Sequence, residues 1–113
     1  MITIKTKPIS TNRLYQGRRF LTKEAKATKE AMAWEVKSQW KNKPTKKPID
    51  LEIWFYFKDK RGLDIDGALK GLLDCMTGII WEDDCQIIEL QAHKKIDKDN
   101  PRIELSTVVL TQN

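Results

Sequence analysis

The chain is 113 residues long, carries a net charge of +5 and is 40% hydrophobic, with four tryptophans, two cysteines and one histidine. That length fits one domain over residues 1–113; no run approaches the roughly 20 apolar residues of a membrane span, and the start Met-Ile-Thr-Ile-Lys lacks a signal-peptide core, so a cytoplasmic protein is expected. A lone His93 and two isolated cysteines leave thin support for a zinc site, a Ser-His-Asp or Cys-His arrangement or a disulfide framework, and Cys75 and Cys85 read as reduced, buried thiols.

Met1 to Lys5 alternates weakly and predicts a short strand, and Pro8 to Asn12 reads as a loop. Thr22 is placed to cap a helix running to about Trp40. Its stripe is Ala25, Met32, Val36 and Trp40, widened by Ala31 and Trp34, while Lys23, Lys26, Lys29 and Lys37 take other faces; the aromatics read as core rather than as base-stacking platforms. Lys41 to Pro48, with four lysines and two prolines, is expected to be a mobile basic connection. Leu51, Ile53, Phe55 and Phe57 alternate with Glu52, Trp54, Tyr56 and Lys58, the period of a strand with one apolar face. A second helix over 67–77, beginning near Asp66, buries Ala68, Leu69, Leu72, Leu73 and Met76 and is capped by Gly78. Strands follow at Gln86 to Lys94 and Ile103 to Leu110, separated by a turn with Asp97, Asp99, Asn100 and Pro101. This order predicts a small α+β domain, a mixed or largely antiparallel sheet with two main helices.

Charge is unevenly placed along that order. Residues 1–49 hold thirteen Lys and Arg against three acids, whereas residues 50–113 hold eight against thirteen. Acids can hold hard divalent cations while lysines and arginines hold a polyanion against them, an arrangement suited to metal-assisted cleavage of a phosphodiester. The plainer alternative is a solvated lysine-rich surface.

The acids concentrate at Asp64-Ile-Asp66 and at Glu82-Asp83-Asp84. Asp64 and Asp66, two apart before a helix, project to one side if the chain there is extended, and Asp66 falls at the N-cap, where backbone N–H groups favour an anion. Lys70, one turn on, can meet the same phosphate or simply pair with Asp66 or Asp74. Asp83 and Asp84 return after the helix, and taken alone would be a polar turn. Asp97-Lys-Asp99 repeats the D-x-D pattern in a turn with no helix behind it, and no function is assigned to it.

These residues resemble the RusA-like Holliday junction resolvases, small endonucleases of bacteria and their phages. The family pattern is D-x-D-N, a lysine four positions after the second Asp, a short helix, then D-D-x-Q-[IV]. Here it runs Leu63-Asp64-Ile-Asp66-Gly-Ala-Leu-Lys70 and then Trp81-Glu-Asp83-Asp84-Cys-Gln86-Ile87, with Gly67 in place of the usual Asn. Pro8-Ile-Ser-Thr-Asn12-Arg-Leu-Tyr15 is similar to the family's proline, asparagine and tyrosine loop. The resemblance implies a Mg2+-dependent endodeoxyribonuclease, with Mn2+ as a substitute and no organic cofactor, acting as a homodimer that nicks opposed strands of a four-way junction. It also implies metal binding by Asp64, Asp66 and Asp84 with Asp83 in support, and Lys70 at the scissile phosphate. DNA contacts are expected from Lys70, from Asn12, Arg13, Tyr15, Arg18 and Arg19, and from Lys43, Lys46 and Lys47. A less selective nuclease of branched DNA and a catalytically silent DNA-binding module are the alternatives.

Overall fold

The computed structural model describes residues 1–5, 15, 16, 20, 21, 23–60 and 65–110. In chain order they form β1 (Ile2–Ile4), β2 (Tyr15–Gln16), β3 (Phe20–Leu21), α1 (Lys23–Gln39), β4 (Ile49–Phe57), α2 (Ile65–Met76), a 3-10 turn (Asp84–Gln86), β5 (Ile87–Ile96) and β6 (Arg102–Val109). The loop expected at Pro8 to Asn12 and the cap expected at Thr22 lie outside the described residues. No described helix is long and apolar enough to cross a membrane.

β4 organises the molecule. Its odd residues Ile49, Leu51, Ile53, Phe55 and Phe57 are buried and its even residues are half-exposed, as the period of two requires. Each buried side chain contributes about 1.5–3 kcal/mol. The sheet order is β1-β6-β4-β5, with β4 antiparallel to β6 and parallel to β5, so the described residues form a mixed sheet with two helices, an α+β fold. A parallel neighbour needs a crossover, and α2 supplies it between β4 and β5. β2 and β3 make a separate two-stranded antiparallel pair that the sequence patterning does not predict.

β5 and β6 do not pair with each other, although only a short turn separates them. Residues 97–101 cross the end of β4, where the Asp97 N–H donates to the Phe57 carbonyl at 2.8 Å. Arg102 holds the crossing: it donates to Asp97 and Glu104 at 2.8 Å each and to the Asn100 carbonyl at 3.0 Å, and lies 3.8 Å over the Tyr56 ring. Asp97 thereby has a structural task.

α1 and α2 cover one face of the sheet. Met32 and Val36 of α1 and Ala68, Leu72, Cys75 and Met76 of α2 join the β4 residues in one core with Ile80, Trp81, Ile103 and Leu105. The Cys75 thiol donates to the Lys29 carbonyl at 3.6 Å, joining the helices, and burial pushes its pKa up to about 11. α1 also closes the rim of β1: the Thr3 N–H donates to Gln39 Oε1 at 2.9 Å, Gln39 Nε2 donates to the Thr3 carbonyl at 2.7 Å, and the Lys5 N–H donates to Glu35 Oε1 at 2.7 Å.

Two expectations about α1 and the cysteines are corrected. Trp34, expected to widen the buried stripe, is 75% exposed, and Ala31 is exposed too, because Met32 and Val36 turn the opposite face to the sheet. Cys85, expected to be buried, is exposed in the 3-10 turn.

Candidate functional site

The second acid pair sits where α2 returns the chain to β5. Gly78 ends the helix at φ +90, a backbone conformation that favours glycine, and its N–H donates to the Trp81 carbonyl at 2.6 Å. Trp81 is fully buried and its indole N–H donates to Thr77 Oγ1 at 3.1 Å, so the turn is anchored from below and Glu82, Asp83 and Asp84 are left exposed above it.

Gln86 fastens this turn to the lysine-rich loop. Its Oε1 accepts the N–H groups of Glu82 at 3.0 Å and Asp83 at 2.9 Å, while its Nε2 donates to the carbonyls of Thr45 at 2.8 Å and Lys47 at 2.9 Å. Two backbone bonds add to the link, from the Thr45 N–H to the Ile80 carbonyl at 2.9 Å and from the Glu82 N–H to the Thr45 carbonyl at 3.2 Å. The expected mobile connection is therefore a tethered loop: its prolines stop a helix, but its backbone groups find partners on the acid turn. Lys43, Lys46 and Lys47 keep exposed side chains beside that turn.

The two adjacent aspartates have opposite electrostatics. Asp83 caps the 3-10 turn, accepting the Cys85 N–H at 3.0 Å, and that bond first, then one with Asp84, holds its carboxyl below the usual range. Asp84 is raised, above all by the hydrogen bond with Asp83, then by desolvation and by the negative charges of Asp83 and Asp74. In the sequence Asp74 reads only as an ion-pair partner for Lys70. Its signal is spacing: Asp66, Lys70 and Asp74 recur every fourth residue along α2.

The first pair is placed differently from its expectation. α2 begins at Ile65, so Asp66 lies inside the first turn rather than at the N-cap, and its Oδ1 accepts the Gly67 N–H at 2.9 Å. Ile65 packs against the core, which draws the helix start forward. Asp64 lies outside the described residues, as do Asn12, Arg13, Arg18 and Arg19. Tyr15 is in β2, paired with Leu21. Lys70 is exposed, and among the described residues no ion pair joins it to Asp66 or Asp74.

Asp66 and Asp74 are separated by about 12 Å of helix rise. Accordingly, the described residues contain no group of three acids, cysteines or histidines close enough to hold a metal ion. What they do contain fits a hard cation by chemistry: every donor is a carboxylate oxygen, the acids of the turn are exposed, and Asp84 is electrostatically crowded by its acidic neighbours. Soft-metal chemistry has no such basis, since Cys85 is a protonated thiol raised chiefly by its bond with Asp83 and His93 is engaged with Glu52 at 2.7 Å and stacked on Trp54.

A small α+β domain with an acidic turn locked to a basic loop defines a class of protein in which carboxylates and a phosphate-attracting surface work side by side. The family described as endodeoxyribonuclease RusA matches residues 3–107, and the chain belongs to that family of endodeoxyribonucleases. Over 103 residues it is 27% identical to crossover junction endodeoxyribonuclease RusA of Escherichia coli strain K12 and to the corresponding enzyme of Enterobacteria phage 82, in each case over 88% of this chain and 86% of the relative.

Proposed function

We propose that this endodeoxyribonuclease resolves four-way DNA junctions by paired symmetric nicks, working as a homodimer in the cytoplasm of a bacterium or phage-infected cell. Support for the substrate comes from the relatives, whose names specify a crossover junction. The observation that carries the reading is the Gln86 clamp, which fixes the carboxylates of the turn next to the exposed lysines of residues 43–47. A DNA strand drawn to those lysines would be presented to acids at a set distance.

In this reading Asp64, Asp66 and Asp84 bind Mg2+, and Asp83 supports them by fixing the turn and by its hydrogen bond with Asp84. When bound, the cation supplies positive charge at the scissile phosphate and makes water more acidic. Lys70, on the exposed face of α2 between Asp66 and Asp74, neutralises a non-bridging phosphate oxygen. Asn12, Arg13, Tyr15, Arg18, Arg19, Lys43, Lys46 and Lys47 hold the backbone of the arms. Because these contacts are to phosphates, they position the junction without reading its sequence.

The test is a strand-by-strand cleavage assay with Mg2+ on an immobile four-way junction, a replication fork and plain duplex, beside the Asp66→Asn variant. Paired nicks confined to the junction, lost in Asp66→Asn with junction binding retained, are expected. Equal cutting of the fork would replace this reading with a general branched-DNA nuclease. Tight binding without cutting under any divalent cation would leave a binding module.

A further inference from the structure

The two rims of the sheet are treated differently. At one end, Gln39 and Glu35 of α1 satisfy the outer backbone groups of β1. At the other, β5 is the last strand, ten residues long without proline or glycine, and among the described residues no strand lies beyond it. Such a long, open rim is a template for another strand.

The side chains of β5 continue the core layer past its cover. The register sets Leu90, Ala92, Lys94 and Ile96 beside Leu51, Ile53, Phe55 and Phe57, so they share the apolar face of β4. Yet Leu90 is 41% and Ile96 51% exposed, and Lys94 lays its amine 5.3 Å from the Phe57 ring. Glu89, Gln91, His93 and Lys95 take the opposite face.

We infer that β5 is the homodimer interface, pairing antiparallel with β5 of a second copy about a two-fold axis at Ala92. The inference rests on the dimeric reading above and names its surface. A two-fold axis normal to the sheet keeps each face continuous, so opposed residues must have the same parity. Centred on Ala92, the strand is complementary to itself over its regular part: Glu89 of one copy meets Lys95 of the other, twice, and Leu90 meets the aliphatic stem of Lys94. Shifting the centre to Gln91 leaves Lys95 without an acid opposite it and sets Glu89 against His93, which Glu52 already engages at 2.7 Å. Shifting it to His93 sets Glu89 against Asp97. Of these three centres, only Ala92 sets Glu89 against Lys95, and it joins the two four-stranded sheets into one of eight strands.

Light scattering and sedimentation on the full chain test this with Glu89→Lys, Lys95→Glu and the double exchange. Each single change places like charges opposite each other twice and is expected to weaken the dimer about tenfold; the double exchange should restore it to within about threefold. An independent arm places Ala92→Cys in a Cys85→Ser background. Mild oxidation should give a disulfide-linked dimer, whereas Gln91→Cys, about 7–8 Å from its copy across the diagonal, should not cross-link. If the parental chain is dimeric while the single changes leave its affinity unaltered and Ala92→Cys fails to cross-link, the β5 assignment is overturned and the dimeric reading survives through another surface. A parental chain that stays monomeric at all concentrations and on junction DNA would overturn both.

Discussion

Gln86 donates to the carbonyl of Lys47 at 2.9 Å from a position two residues after the acid pair, so one side chain sets the spacing between the carboxylate turn and the basic loop. All of its hydrogen-bonding capacity toward these segments is spent: two N–H groups received, two carbonyls reached. Gln86→Ala removes four bonds at a partly exposed site and is expected to cost about 2 kcal/mol. A melting temperature lowered by about 5–10 °C would follow for a domain of this size. Amide exchange should accelerate selectively at Glu82 and Asp83. Parental exchange rates at those two amides in the variant would mean that Gln86 does not hold the turn.

Much of this arrangement is legible in the amino-acid pattern, and the parts that are not share a cause. The alternation from Leu51 to Phe57 fixes β4 because a strand has only two faces and one of them, the odd-numbered residues, is apolar throughout. Gly78 is readable as a helix stop because its position after Met76 leaves few residues able to adopt φ +90. Tertiary partners are what local pattern cannot carry. Nothing in Lys41 to Pro48 says that its carbonyls will be met by an amide some forty residues away, and nothing in the short turn after β5 says that β4 will lie between the strands it joins. Asp74 is hidden for the same reason, since its effect on Asp84 exists only once α2 and the acid turn are side by side.

The four tryptophans make that distinction measurable. Trp81 is fully buried with its indole nitrogen bonded, whereas Trp34, on the same helix as buried Met32 and Val36, faces solvent. Trp81→Ala is expected to cost about 3–5 kcal/mol, while Trp34→Ser should stay within about 0.5 kcal/mol of the parent. Urea titration of both variants checks the pair, and a large loss at Trp34 would place that face against something in the folded chain.

The Arg102 guanidinium, through its hydrogen bond with Asp97, holds the Asp97 carboxyl below its ordinary range. A carboxylate with a depressed folded pKa contributes stability that is fully present above its unfolded pKa, about 3.9, and is lost as pH falls through the lower folded value. Comparing melts of the parent and Asp97→Asn across pH should thus show a gap that is constant near neutrality and closes below about pH 4. Arg102→Lys should not rescue Arg102→Ala, because a lysine cannot bridge Asp97, Glu104 and the Asn100 carbonyl while lying flat on Tyr56.

The lysines of the tethered loop bear most directly on how DNA is gathered. Lys43, Lys46 and Lys47 have exposed side chains, and the backbone of the loop is held at Thr45 and Lys47 by Gln86. Exchanging all three for Gln should leave the fold intact, since those bonds use main-chain carbonyls rather than the ammonium groups. Removing one lysine–phosphate interaction reduces the slope of log affinity against log salt by about 0.9, so the triple variant should flatten the slope by up to about 2.7 and weaken junction binding most at low salt. An unchanged slope, with affinity intact, would make these lysines solubilising only and shift the task of holding the junction arms to the basic residues elsewhere in the first half of the chain.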